Sequence, residues 1–449
     1  SEFNVDPRVN PDFSSESGSE FGWNPWRVKR DLKAILVTRV LGHSGSVVLR
    51  VNRWVRIKRV IGRVFDDVKN GDGNGGSTEM DEVQNQESTG VSTVKLSLGP
   101  LITEDAVSFY VCPPSDRRAS RSREKENVVT VQTEVSYVAN DGTRRYRIST
   151  RRWRIARDLS EYLGSMSVEA TCILLAKKAT LAATELEAEM EEGEDGISRG
   201  GNWNEYQKNM NELRFELDNK IGSICRRICD TYENKCEASR GVSKGFADEP
   251  NIWALPEHLR NFPKIMYYIR RGPLLGLSFQ GSESCSLLRR RFQWMSSPSA
   301  FKTSMPTLFS FDSKGSFESL PASTLALQPR RMLVLDQYSM IIIWVGASVS
   351  TPEYRKLLDV CRAEAMKLAA DRVPTPEILE ILQGDSAERW LEARLSPGHK
   401  DSRQEQLYDF PSLNSEVGET ERIAVCERLK NSTRDKSLRE YVTSLLTTS

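Results

Sequence analysis

The apolar residues change their spacing at about Arg157, and no other feature constrains the fold as tightly. Upstream, Leu49, Val51, Val55 and Ile57 alternate with Arg50, Asn52, Trp54, Arg56 and Lys58, the period of two expected of a half-buried strand. The run VVTVQTEVSYV (128–138) reads as another strand, turned by Asn140-Asp141-Gly142 into RYRIST (145–150). Asp-Gly between alternating runs is a strong hairpin signal. Short strands separated by long polar loops predict an antiparallel β-sandwich.

Downstream of Arg157 the period becomes helical. Ser167 is placed to cap a helix through Ala183 that buries Ala170, Cys172, Ile173, Leu174 and Ala176. Leu213, Leu217, Ile221, Ile224, Cys225, Ile228 and Tyr232 recur at threes and fours, and Leu259, Phe262, Ile265, Met266 and Ile269 mark a third helix. The last third is mixed. Strands are predicted over 306–311, 332–335, 340–345 and 377–382, the third buried on both faces. Helices are predicted over 351–371, stopped by Pro374 and Pro376, and over 386–395. A final helix starts at Ser437 with Glu440 three residues on, a capping box.

The predicted fold class is therefore multidomain α and β. A β-sandwich spans 1–157, a helical bundle 158–300, and an α/β domain with a C-terminal helix 301–449. Three polar stretches interrupt it: loops over 66–91 and 113–127 in the sandwich and an acidic loop over 185–201 in the bundle. Their composition cannot bury enough apolar surface to offset the entropy of ordering.

Composition excludes several functions. With 63 Lys and Arg against 62 Asp and Glu, no global charge calls for nucleic acid. The apolar run at 340–345 is far shorter than the roughly 20 residues of a membrane span. The polar first twenty residues lack the pattern of a secretory signal. Eight cysteines without a CxxC pair, and three isolated histidines (His43, His258, His399), predict reduced thiols and no metal site. No phosphate-binding loop, dinucleotide fingerprint, HExxH or GxSxG occurs, so a catalytic site in the chain itself is not expected.

In the last third, MLVLDQYSMIIIWVG (332–346) resembles the central strand pair of a gelsolin-like domain. DRVPTPEI (371–378), GDSAERWL (384–391) and ARLSP (393–397) resemble the C-terminal region of the Sec-twenty-three proteins, inner-coat subunits of COPII vesicles. FPKIMYYIRR (262–271) and LLRRRF (287–292) are similar to that family's helical domain, and VQTEVSY (131–137) with RYRIST to the last hairpin of its sandwich. The order is consistent from about residue 23 onward and specific from about residue 128. The resemblance implies transport from the endoplasmic reticulum to the Golgi, on the cytoplasmic side of exit-site and vesicle membranes. The family's zinc finger and its trunk domain of the von Willebrand A type are not found in these residues. The chain is accordingly expected to be a cut piece of a longer subunit, with no cofactor of its own and the zinc finger upstream.

The resemblance also implies site residues. In the family, an arginine in the turn and helix after the paired prolines enters the nucleotide site of the Sar GTPase. Aligning the prolines, the turn at Gly384 and the Ser396-Pro397 end places Arg389 there, after a Glu388 that replaces a neutral residue. The implied role is an arginine finger supplied in trans, which makes the chain an activator of a small GTPase. Implied partners are that GTPase, a Sec-twenty-four-type inner-coat subunit and proline-rich outer-coat segments, for which Phe309, Phe311 and Trp344 are candidate contacts or core. The plainer alternative for Arg389 is a surface arginine paired with Glu388, Glu392 or Asp385. A Sec-twenty-four-like cargo adaptor or non-activating scaffold, and calcium-dependent actin binding, are the rival functions.

Two basic clusters point to an anionic membrane surface. Ten Lys and Arg between Arg27 and Arg59 face only Asp31, and seven arginines between Arg144 and Arg157 face no acid. Arg50, Arg53, Arg56, Lys58, Arg144, Arg145, Arg147 and Arg151 are the membrane-facing candidates. The alternative is solvated strand faces balanced by the acidic loops. Trp54, Tyr146 and Trp153 sit where strand packing wants them, so nucleic acid is not expected.

Overall fold

A computed structural model describes residues 40–62, 86–88, 91–103, 105–113, 128–191, 203–239, 255–276, 283–311, 317–349, 351–370, 372 and 375–447. The parts of the predicted loops at 66–85, 89–90, 114–127 and 192–201, the basic residues Arg27 to Arg39, and Pro374 lie outside them.

Strands β1 (Val40–Asn52), β2 (Arg56–Ile61), β3 (Gln86–Ser88), β4 (Val91–Ile102), β5 (Ser108–Cys112), β6 (Val128–Ala139) and β7 (Arg144–Arg154) build the first part. Five of them form an antiparallel sheet in the order β3-β4-β1-β6-β7, while β2 and β5 pair separately. Val47, Leu49 and Val51 share a face with Val94, Leu96 and Val131 and pack on Ile57 and Val60 of the ribbon. The continuous strand expected across Leu49 to Lys58 is in fact two. The chain turns at Arg53 and Trp54, with the Val55 amide donating to the Asn52 carbonyl at 3.1 Å. Alternation survives on both sides because each strand keeps an inward face, so periodicity alone could not reveal the turn. The hairpin at Asn140 to Gly142 is present, with Gly142 at φ 79° and Asp141 accepting from the Thr143 amide at 2.9 Å.

Helices α1 (Leu159–Ser165), α2 (Val168–Glu191), α3 (Trp203–Ser239), α4 (Asn261–Arg271), α5 (Glu283–Trp294) and α6 (Ser297–Ser304) follow. The acidic loop expected from residue 185 is helical as far as Glu191. Glu187 pairs with Arg289, a fully buried arginine whose Nε donates to the Leu274 carbonyl at 2.6 Å. A carboxylate with a buried guanidinium partner has reason to stay in the helix, and nothing local to the acidic tract signals that partner. Sandwich and bundle meet at Lys177, which is 1% exposed and donates to Ser108 Oγ at 3.0 Å and the Met295 carbonyl at 2.8 Å. Burial pulls its ammonium down to about 8. Tyr110 adds a hydrogen bond to the Leu174 carbonyl at 2.7 Å.

The final part holds β8 (Thr307–Phe311), β9 (Phe317–Leu320), β10 (Met332–Asp336), β11 (Met340–Val345) and β12 (Glu377–Leu382), in the order β12-β11-β10-β8-β9. Helix α7 (Thr351–Ala369) crosses over between β11 and β12, which run parallel. Leu333, Leu335, Ile342 and Trp344 face the helical core; Met332, Val334, Ile341 and Ile343 face α7. Four helices end the chain: α8 (Glu388–Glu392), α9 (Arg403–Asp409), α10 (Glu416–Leu429) and α11 (Leu438–Thr447). Helices α9 and α10 were not anticipated, and the helix expected over 386–395 is regular only at 388–392. Helix α11 returns to α3 and α4, with Tyr441 donating to Asp218 at 3.0 Å and Arg226 to the Leu445 carbonyl at 2.7 Å.

The capping box of α11 is formed. Glu440 N–H donates to Ser437 Oγ at 3.1 Å, and Ser437 N–H to Glu440 Oε2 at 2.8 Å. Ser437 Oγ in turn donates to Asp401, whose carboxyl burial pushes up to about 6. Ser437→Ala is expected to cost about 1 kcal/mol in urea unfolding. Because the folded pKa of Asp401 is raised, its stabilising effect is full below about 4 and lost as pH rises through about 6. His399, pulled down to about 4 by burial, acts oppositely and loses stability as pH falls below 6.5. Asp401→Asn, which keeps the acceptor oxygen, should therefore be more stable than the parent at pH 8 and equal to it at pH 4.

Candidate functional site

The turn between β12 and α8 is built around one buried carboxylate. Gly384 sits at φ 91°, a left-handed conformation that glycine adopts without strain, and its amide donates to Glu388 Oε2 at 2.8 Å. Glu388 Oε1 accepts from Trp344 Nε1 at 3.1 Å and from Arg428 at 2.6 Å, and Arg428 also donates to the Leu327 carbonyl at 3.1 Å. One side chain thus ties β11, the turn and α10 together. Asp385 Oδ2 is engaged by the Leu382 amide at 2.9 Å.

Successive helical residues are about 100° apart, so a buried Glu388 turns Arg389 outward. Arg389 is exposed and forms no ion pair among the described residues. The pairing that was the plainer alternative for it is not made, because Glu388 is buried at 7% exposure and taken by Arg428 and Trp344. Glu392, half-buried, is raised above its ordinary range, by burial first and by Glu388 second. The significance of Glu388 was not legible as a departure from a family pattern. A tryptophan inside an all-apolar strand was the available signal, since a buried indole N–H needs an acceptor.

The basic candidates fall into separate groups. Arg144, Arg145, Arg147 and Arg151 lie on β7, whose eleven residues are all exposed. Arg145 pairs with Asp141 at 3.1 Å, and Arg144 lies over the Tyr146 ring. Arg50, on β1, is bound to Glu134 at 2.8 Å. Arg53 stacks over Trp54 in the turn, Arg56 donates to Cys112 Sγ at 3.2 Å, and Lys58 is exposed on β2. Of the aromatic candidates, Trp344 is fully buried and belongs to the core. Phe309 and Phe311 instead meet Phe317, with ring centroids 5.5 and 5.9 Å apart. Phe317 is 62% exposed on edge strand β9 and was not singled out in the sequence.

Among the described residues no group of three or more His, Cys, Asp or Glu side chains could hold a metal ion. No helix among them is long and apolar enough to cross a membrane.

The fold is that of a known coat protein. Over 94% of its length the chain matches the human COPII-coat protein Sec24c, with a TM-score of 0.56, 14% identity and 47% of that chain covered. By sequence it is 26% identical over 380 residues to Protein transport protein SEC23 A of Arabidopsis thaliana, covering 84% of this chain and 37% of the plant protein. It is also 26% identical over 200 residues to Protein transport protein SEC23 of Encephalitozoon cuniculi, covering 41% of this chain and 28% of that protein. In sequence the chain is thus similar to Sec-twenty-three proteins, and in fold to a Sec-twenty-four protein. It spans between about a quarter and a half of the length of each. No family model matches it.

The two adjacent residues should behave very differently. Glu388→Ala leaves Arg428 and the Trp344 N–H without their carboxylate and is expected to cost about 3–5 kcal/mol in urea unfolding. Arg389→Ala should stay within about 0.5 kcal/mol of the parent.

Proposed function

We propose that this chain supplies the β-sandwich, helical and gelsolin-like parts of a COPII inner-coat subunit, and that Arg389 is an arginine finger for a Sar-type small GTPase. The supporting observation is the placement of Arg389: exposed, without an ion-pair partner among the described residues, and carried on a short helix that Glu388 fixes from beneath. Phosphoryl transfer spreads negative charge over the transferred group and the leaving oxygen. A planar guanidinium meets that charge with two aligned donors. The chain is then an accessory to a reaction carried out by the GTPase, acting on the cytoplasmic face of the endoplasmic reticulum.

The remaining partners follow the same reading. A Sec-twenty-four-type subunit joins it in the inner coat, and proline-rich outer-coat segments dock at the Phe309–Phe317 edge. Exposed Arg53, Arg56 and Lys58, with the arginines of β7, face an anionic membrane; Arg50 is held back by Glu134.

GTP hydrolysis by a Sar-type GTPase, measured with the chain joined to the part of the Arabidopsis relative that it does not match, tests the finger. Arg389→Ala should lower the stimulated rate by about 10³–10⁵, and Arg389→Lys should not restore it. An unchanged rate would leave the adaptor or scaffold reading. Sedimentation with vesicles containing phosphatidylserine tests the membrane face. Arg147→Glu with Arg151→Glu should weaken binding by at least about 1 kcal/mol per residue, and no loss would remove these arginines from that face.

A further inference from the structure

Strand β7 lies at the edge of its sheet, bonded on one side to β6 and on the other to no strand among the described residues. The Ala139 amide donates to the Thr143 carbonyl at 2.8 Å, which fixes the phase of the antiparallel ladder. Residues directly opposite alternate between bonded and non-bonded pairs, so Arg145, Arg147, Ser149, Arg151 and Trp153 spend their backbone groups on β6. Arg144, Tyr146, Ile148, Thr150, Arg152 and Arg154 therefore turn their N–H and C=O groups outward, in the plane of the sheet. Arg147, Arg151, Arg152 and Arg154 have no carboxylate partner among the described residues. Apolar surface accompanies them: Tyr146, Ile148 and Trp153 are 60, 63 and 53% exposed, so the two aromatics expected to pack within the sandwich stand in solvent, because β7 is an edge strand with no buried face.

We propose that the free edge of β7 is a docking site for an acidic, extended segment of a partner protein, which adds to the sheet as a further strand. The outward groups would supply main-chain hydrogen bonds, and the arginines would select the occupant by charge. Charged edges guard against indiscriminate pairing. A second copy of β7 would set arginine opposite arginine, which is destabilising. That guard does not act against a strand of opposite sign. Lipid headgroups would meet side chains projecting from the sheet faces and would leave the in-plane backbone groups unused, so this inference is separate from the membrane face proposed above.

The test uses the whole chain and a labelled peptide of alternating glutamate and valine, read by fluorescence anisotropy. A second peptide of the same sequence carries N-methyl groups on alternate residues, which keeps the charge and removes the strand-forming edge. The first should bind with an affinity that falls as salt rises, and the second at least tenfold more weakly. In the protein, Ile148→Pro removes an outward N–H that β6 does not use, at an edge position where proline is tolerated. It should weaken peptide binding at least tenfold while leaving thermal unfolding and binding to phosphatidylserine vesicles unchanged. Equal binding of both peptides, or binding of the first that is indifferent to Ile148→Pro, would overturn the proposal. So would vesicle binding with no peptide binding, an outcome that leaves the membrane reading standing alone.

Discussion

The sheet containing β10 and β11 is buried on both faces, and much of the structure is arranged to satisfy it. Six consecutive apolar residues, Met340 to Val345, offer no polar side toward water. Helix α7 must cover one face, and the bundle together with the C-terminal helices must cover the other. The core is consequently shared: a single cluster of buried residues runs from Leu163 in α1 to Leu445 in α11. Loss of packing on the bundle side of this sheet would be felt by helices far away in the sequence.

The same burial creates the arrangement around Arg389. Trp344 is drawn into the interior by its strand, and its indole N–H has to find an acceptor there. Glu388 meets that need, but a buried carboxylate needs compensating charge, which Arg428 provides from α10. Once Glu388 is held from within, helix geometry leaves its neighbour no choice but solvent. An exposed arginine next to a rigid anchor is better suited to entering another protein's site than one on a mobile loop, because less side-chain and backbone freedom is lost on docking.

Sequence pattern foretold the structure where one period dominates. The two-sided strand at Met340 to Val345, the strand at 377–382 and the capping box at Ser437 all appear with the expected bounds, because local pattern specifies each of them. It failed where the deciding partner lies far along the chain. Glu187 is helical with help from Arg289, 102 residues away, and Glu388 is buried because Arg428 and Trp344 are 40 and 44 residues away. Helix α10 escaped notice for a related reason: its buried positions Gly418, Val425 and Leu429 are too few to give a clear stripe. Arg389 could be placed by resemblance, but its freedom from the neighbouring acids could not, since that depends on what those acids bind.

The near-neutral charge of the chain conceals an uneven distribution of pairing. In the last third, arginine after arginine is matched at short range: Arg372 with Asp336, Arg362 with Glu380, Arg422 with Glu419, Arg428 with Glu388 and Arg439 with Asp409. A guanidinium committed in this way cannot approach a second anion without breaking the first pair, so these residues are structural. Exposed arginines without such partners among the described residues are scattered, Arg227, Arg290, Arg355, Arg389 and Arg434 among them, but along β7 four of them, Arg147, Arg151, Arg152 and Arg154, share one strand. Their charge is still available to an outside anion, whether a carboxylate, a headgroup or the oxygens of a transferring phosphoryl group. Unpaired arginine thus says more than total arginine about the charge this chain has to offer, because pairing decides whether a charge has already been used by the fold.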